Sequence, residues 1–243
     1  MNQIVDFAGI KVDNVTISEA VAKANEFIAS GKPRLIVTPN PEAIVACQED
    51  RELREIINSA DLRVPDGISM VVVSNILGSP LQERVTGIDL MLRLVELSAR
   101  EGYKVFLLGS APGVAEDAAE NLMFQFSKLE VAGTRDGYFK KDSEVIEEIK
   151  DTRPDILFVG LGAGRQEKWV SRHLKELNVP VSMVVGGSLD VISGKKRRAP
   201  AWTQKLYIEW LYRLFAEPNR WKRQLALPKF LWLMFKPSLG RLG

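Results

Sequence analysis

Short apolar runs alternate with longer amphipathic stretches, and this alternation limits the fold more than any other feature of the chain. Residues 34–38 (RLIVT), 62–65, 104–108 (KVFLL), 155–161 (DILFVGL) and 181–185 (VSMVV) read as strands that are apolar on both faces. Between them, residues 17–30, 41–59, 87–101, 113–128, 142–152 and 166–177 carry apolar side chains at helical spacing. A strand without a polar face has to be covered on both sides. The pattern therefore predicts an α/β fold, a mostly parallel Rossmann-like sheet with helices on both faces. Open sheets of this kind bind ligands beyond the carboxyl ends of their strands. The loops there read Thr38-Pro39-Asn40-Pro41-Glu42, Pro65-Asp66-Gly67, Gly109-Ser110-Ala111-Pro112-Gly113, Gly162-Ala163-Gly164-Arg165-Gln166-Glu167 and Gly186-Gly187-Ser188-Leu189-Asp190. Each joins Gly or Pro to a polar or acidic group.

The end of the chain is built differently. The formal net charge is +2, yet Lys195 to Gly243 holds 12 Lys or Arg against 2 Asp or Glu, net +10, which leaves Met1 to Gly194 at net −8. Four of the five Trp (Trp202, Trp210, Trp221, Trp232) lie in the same basic segment. Trp202, Leu206, Trp210 and Leu214 recur every four residues, and Tyr207, Leu211 and Phe215 widen the stripe into an amphipathic helix. Pro218 and Pro228 then punctuate shorter helices, the last over 229–235. A segment of about 49 residues seldom builds a core alone. Residues 1–194 are therefore read as the α/β domain and 195–243 as a C-terminal helical appendage. Basic residues interleaved with aromatics suit an anionic surface with an apolar layer behind it: a membrane face, a nucleic acid, or the acidic body of the same chain.

Several chemistries are disfavoured by what the chain contains. Cys47 and His173 are the only residues of their kinds, which argues against a Cys/His zinc site, a Cys-His pair and a disulfide framework. Acid–base work then falls to carboxylates. His173 reads as a surface or packing residue on its helix. No Asp-x-Asp occurs, so the usual way of holding Mg²⁺ or Mn²⁺ against a nucleotide diphosphate is missing and no metal is expected. The opening MNQIVDFAGIKVDN lacks a basic region followed by an apolar one, and no apolar run approaches the roughly 20 residues of a membrane span. The expectation is a cytoplasmic protein that does not cross the bilayer.

Each loop admits a structural reading beside a chemical one. In the Gly109 to Gly113 loop a strand ends in glycine before a helix starts, so the backbone N–H groups there can hold a phosphate or simply make a tight turn. The spacing matches neither G-x-G-x-x-G nor the P-loop pattern. Asn40 before Pro41 is explained by helix capping, whereas Thr38 has no capping role and can offer its hydroxyl to a ligand. Asp66 can serve as a base toward a hydroxyl nucleophile or make an Asx turn with Gly67. Gln166 can hydrogen-bond a sugar or base, and Glu167 can complement the dipole of the helix it opens.

The motifs together resemble a known family. TPNPEAI (38–44), RVPDGIS (63–69), RVTGIDL (84–90), LLGSAPGVAE (107–116), DGYF (136–139), LGAGRQEKW (161–169), VGGSLDVISGKKRRAP (185–200) and EWLYRLFAEPNRWKR (209–223) occur in order and resemble the WecG/TagA/CpsF glycosyltransferases, glycosyltransferase family 26. Gly164 departs from the proline that many members carry there. The resemblance implies inverting, metal-independent transfer of N-acetylmannosamine from its UDP donor to polyprenyl-pyrophosphate-linked N-acetylglucosamine, forming the β-1,4 linkage unit of teichoic acid. By the same resemblance, Asp66 is the expected base with Thr38 beside it. Asn40, Arg84 and Gln166 line the donor and acceptor pocket, while Gly109, Ser110, Gly137, Tyr138, Glu167, Gly187 and Asp190 are expected at the nucleotide, Tyr138 stacking on uracil. Arg213, Arg220 and Arg223 would stabilise the departing UDP if the tail folds over the pocket. The aromatic tail would rest on the inner face of the cell membrane, where the lipid acceptor lies, or mediate self-association. Removing it at Gly194 is expected to leave a sheet domain with little activity.

Two other readings compete. The same mechanism can act on UDP-N-acetylmannosaminuronic acid, as in enterobacterial common antigen, or on UDP-glucose. A non-catalytic nucleic-acid binder would use the +10 tail, but the −8 body with polar loops at its strand ends suits a small-ligand enzyme and no nucleic acid partner.

Overall fold

The computed structural model describes residues 3–197, 203 and 225–236. The chain opens with a hairpin of β1 (Ile4–Phe7) and β2 (Ile10–Asp13), paired antiparallel. Ala8 and Gly9 turn it at positive φ (53° and 84°), and the Gly9 N–H donates to Asp6 Oδ1. Thr16 and Glu19 then form a capping box that starts α1 (Ile17–Ser30), and Gly31 ends that helix in the left-handed region.

Strands and helices alternate from there. β3 (Arg34–Val37) leads to α2 (Pro41–Glu49) and α3 (Arg51–Ser59); β4 (Leu62–Arg63) leads to α4 (Ile68–Ile76) and α5 (Gly87–Glu101). β5 (Lys104–Gly109), α6 (Val114–Gln125), β6 (Glu130–Arg135), α7 (Asp142–Thr152), β7 (Ile156–Gly160), α8 (Arg165–Leu177), β8 (Val181–Val184) and the short α9 (Ser188–Ile192) follow. A last described helix, α10, covers Ala226–Phe235. The six strands β3 to β8 form one all-parallel sheet in the order β4-β3-β8-β7-β5-β6, so the expected α/β architecture is present.

Alternation of side chains divides the interior into two cores. Leu35, Val37, Phe106, Leu108, Leu157 and Val159 point to one face, where α2, α3, α4, α7, α8 and the hairpin pack. Ile36, Val105, Leu107, Ile156, Phe158 and Met183 point to the other, beneath α1, α5, α6 and α9. Each fully buried Leu, Ile or Phe contributes about 1.5–3 kcal/mol, so the two-sided burial of these strands is the main stabilising term. The connection leaving β5 goes to α6 on the second face, and the one leaving adjacent β7 goes to α8 on the first. The chain paths part there, which is where open sheets of this kind take their ligands.

The structure differs from the sequence expectation in several elements. The stretch 41–59 is two helices, because Asp50 leaves helical geometry (φ −110°, ψ 94°) and its carboxylate accepts the Leu53 N–H of a new helix at 3.0 Å. The strand expected over 62–65 ends at Arg63. Pro228 does not divide helices: α10 begins at Ala226, with Pro228 in the first turn, where its missing N–H has no intrahelical partner to lose. Part of the segment assigned to the appendage also lies in the body. α10 packs on α2, Phe230 is fully buried in the first core, and its ring centroid is 6.2 Å from that of Phe7. The stripe from Trp202 to Phe215, apart from Thr203, lies outside the described residues, as do Arg213, Arg220 and Arg223. Among the described residues no helix is long and apolar enough to cross a membrane.

Candidate active site

Three chain segments converge beyond β3 and β4. Thr38 follows β3, Asp66 follows β4, and Thr86-Gly87 opens α5. The Asp66 N–H donates to the Pro39 carbonyl at 3.0 Å and the Val85 N–H to the Pro65 carbonyl at 3.0 Å, which fastens the three together. Asp66 Oδ2 accepts the Gly87 N–H at 3.3 Å, so the carboxylate sits at the positive end of a 15-residue helix. Thr38 and Asp66 are half-buried and flank Gly87: a Cβ built there would lie 3.4 Å from Thr38 Oγ1 and 3.6 Å from Asp66 Oδ2. A half-exposed carboxylate beside a hydroxyl, at a strand end, is equipped to take a proton from a bound alcohol.

This corner is braced from below. Asp13, at the end of β2, receives the Arg63 backbone N–H at 2.8 Å and two guanidinium contacts, at 2.9 Å from Nη2 and 3.0 Å from Nε. Arg63 stands three residues before Asp66, and both side chains of the pair are nearly enclosed. Next along the chain, Asn14 Oδ1 accepts the Gln82 N–H at 2.8 Å, its Nδ2 donates to Pro80 O at 3.0 Å, and Glu83 Oε2 accepts the Ile17 N–H at 2.9 Å. The residues between β2 and α1 therefore hold both the strand that delivers Asp66 and the loop that delivers Arg84 and Gly87. Sequence reading missed this brace; the only signal was a pair of polar residues, Asp13-Asn14, ending an alternating strand.

A second cluster lies along β5, β7 and β8. Gly109 ends β5 at φ +134°, and a Cβ there would fall 2.3 Å from the Gly160 carbonyl oxygen. A Cβ on Gly160 would in turn fall 2.7 Å from Gly186 O. Only glycine permits these approaches, and the result is a seam of bare backbone across three adjacent strand ends. Ser110 follows at φ 60°, unusual for a residue with a side chain, and its N–H donates to Gly160 O at 3.0 Å. The Gly137 N–H donates to Ser110 O at 2.9 Å, which brings the loop after β6 onto the seam, and Tyr138 beside it is 73% exposed. Phe139 anchors that loop against Trp169 (5.8 Å between centroids), with the Arg165 guanidinium over its ring. At the far end, Gly187 faces Asp190 Oδ2, and Asp190 is ion-paired with Lys196 at 3.6 Å.

Gln166 and Glu167 join the loops at the seam. Gln166, 4% exposed, accepts the Gly186 N–H at 3.1 Å through Oε1 and donates from Nε2 to Glu167 Oε1 at 3.0 Å. Glu167 Oε2 accepts the Gly164 N–H at 2.7 Å. Burial pushes the Glu167 pKa up from its ordinary 4.5, against the pull of these hydrogen bonds. Both side chains thus fasten the loop after β7 to the loop after β8. Gly164 adopts φ +81°, a conformation closed to proline.

The remaining expected residues are located as follows. Asn40 caps α2, accepting the Ala43 N–H at 2.9 Å. Arg84 is half-buried just before α5. His173 packs against Trp169 and lies 3.2 Å from Asp142 Oδ2, a packing role. Cys47 is buried, and desolvation pushes its thiol up to about 11, so it is no nucleophile near neutrality. Among the described residues no three His, Cys, Asp or Glu side chains converge as metal ligands would.

The sequence model of the glycosyl transferase WecG/TagA/CpsF family matches residues 5–242. The chain is 36% identical over 210 residues, 86% of its length and 82% of the relative's, to the N-acetylglucosaminyldiphosphoundecaprenol N-acetyl-beta-D-mannosaminyltransferase of Bacillus spizizenii. It is 35% identical over 234 residues, 96% of its length and 92% of the relative's, to the protein of the same name in Staphylococcus aureus.

Proposed function

The chain belongs to the WecG/TagA/CpsF family and is a glycosyltransferase, and on that premise we propose that it moves N-acetylmannosamine to N-acetylglucosamine carried on undecaprenyl pyrophosphate, the group and acceptor that its relatives' names give, and that UDP-N-acetylmannosamine is the donor. The observation that carries the reading is the meeting of Thr38, Asp66 and the start of α5 at the same sheet edge as the glycine seam. Asp66 takes the proton of the acceptor's 4-hydroxyl as that oxygen attacks the anomeric carbon. The bond to UDP breaks on the opposite side, so the configuration inverts and the new linkage is β-1,4. Thr38 orients the incoming hydroxyl. The nucleotide lies along Gly109, Ser110, Gly137 and Gly187, with the uracil against Tyr138 and the pyrophosphate toward the start of α6, whose N-cap Gly113 provides no side-chain cap.

Loss of UDP leaves negative charge that needs stabilisation. Backbone N–H groups and arginines supply it without a metal ion, Arg213, Arg220 and Arg223 being the candidates from the basic tail. The tail also suits the surface on which the acceptor is carried: α10 exposes Leu231, Trp232 and Phe235, and Lys236 lies over the Trp232 ring at 4.8 Å. Attachment there puts the enzyme on the inner face of the membrane, in the teichoic acid pathway.

The test is UDP release from UDP-N-acetylmannosamine with a lipid-pyrophosphate-N-acetylglucosamine analogue in the presence of EDTA. Turnover persists in EDTA and falls roughly 10²- to 10⁴-fold in Asp66→Asn. Loss of turnover in EDTA refutes metal independence, and full turnover by the variant retires Asp66 as base. Turnover only with UDP-glucose or the uronic acid donor reassigns the sugar.

A further inference from the structure

Gly87 is a glycine that the protein alone does not require. It opens α5, where glycine is a poor helix former, and its φ is not in the left-handed region. A Cβ there would meet Thr38 Oγ1 at 3.4 Å, Thr38 Cγ2 at 3.5 Å and Asp66 Oδ2 at 3.6 Å, all ordinary contact distances. Gly109 and Gly160 differ, since a Cβ on either would run into backbone. At Gly87 neither backbone conformation nor packing forbids alanine, yet the residue is buried between the hydroxyl and the carboxylate of the site.

We propose that Gly87 gives the acceptor hydroxyl access to its base by keeping open a slot one carbon wide between Thr38 and Asp66. A hydroxyl giving up its proton has to come within about 2.6–3.2 Å of the carboxylate oxygen. A methyl at position 87, held 3.6 Å from Asp66 Oδ2 and 3.4 Å from Thr38 Oγ1, competes for that space. The Gly87 N–H still donates to Asp66 Oδ2 whichever side chain is present, so the methyl blocks the approach and leaves the carboxylate held as before. The inference rests on the assignment of Asp66 as base.

The experiment compares Gly87→Ala, the double variant Gly87→Ala with Thr38→Ser, and Asp66→Asn in the full-length protein. It records the thermal midpoint, UDP affinity by calorimetry, and transfer kinetics with the acceptor analogue varied. Gly87→Ala has an equal or higher midpoint and unchanged UDP affinity, while kcat/KM for the acceptor falls roughly 10- to 100-fold. Thr38→Ser removes the methyl carbon that lies 3.5 Å from the new Cβ and keeps the hydroxyl, so the double variant recovers part of the loss. Parental acceptor kinetics in Gly87→Ala beside a collapse in Asp66→Asn overturns the slot and spares the base. A loss that comes with a lower midpoint or weaker UDP binding, and that Thr38→Ser does not relieve, also overturns it. Full turnover by Asp66→Asn removes the base and the slot together.

Discussion

Glu167 has been taken out of water with hydrogen-bond donors for company, Gly164 N–H and Gln166 Nε2, and burial outweighs both in raising its pKa. The sign of the consequence follows from linkage. The folded state holds the Glu167 proton to higher pH than the unfolded chain, so stability falls as pH rises from the ordinary value of 4.5 through the raised one. In Glu167→Gln this fall disappears, although one accepted hydrogen bond is lost. The variant's deficit in unfolding midpoint should therefore shrink between about pH 4 and pH 8, and a deficit constant across that range would show that Glu167 does not titrate there. Sequence located Gln166 and Glu167 in the first turn of a helix beyond a strand end, because Gly-rich backbone before a helix is a local signal. It gave no indication that Gln166 spends its amide oxygen on Gly186, twenty residues away, since such a bond depends on which strands become neighbours.

Among the elements, the central strands were legible because β5, β7 and β8 are buried on both faces and read as continuous apolar runs. β6 escaped because it is an edge strand, and EVAGTR contains one large apolar residue and a Gly133 that makes room for the Phe106 ring. The hairpin alternates in burial over only four residues per strand, too short to outweigh its surroundings. Yet this hairpin ends in Asp13, whose ion pair with Arg63 holds the strand that delivers Asp66. Asp13→Ala leaves the Arg63 guanidinium nearly enclosed without its carboxylate, and a loss of about 3–5 kcal/mol is expected by urea unfolding. A loss below about 1 kcal/mol would mean the pair behaves like an exposed one. The break between α2 and α3 has a readable cause in retrospect: Asp50 with Glu52 two residues on is a helix start placed inside an amphipathic run.

At the scale of the molecule, the charge boundary near Gly194 does not coincide with a packing boundary. Phe230 is buried against Phe7 and belongs to the same core as β5 and β7. Phe230→Ala should cost about 3–5 kcal/mol in a urea or thermal unfolding experiment, whereas Trp232→Ala, on the exposed side of α10, should cost little and weaken vesicle binding instead. A chain ended at Gly194 would bare the part of α2 that α10 covers, so a lowered midpoint and self-association are expected along with lost turnover. Equal stability of the shortened and full-length chains would show that α10 does not hold the core. The parallel pairing of β3 with β8 matches Arg34 to Val181, so the strand that carries Thr38 is completed by a neighbour near the far end of the body. Translation therefore supplies β4, one neighbour of β3, soon after β3 itself, while the other edge of that apolar strand stays uncovered until nearly the whole body has left the ribosome.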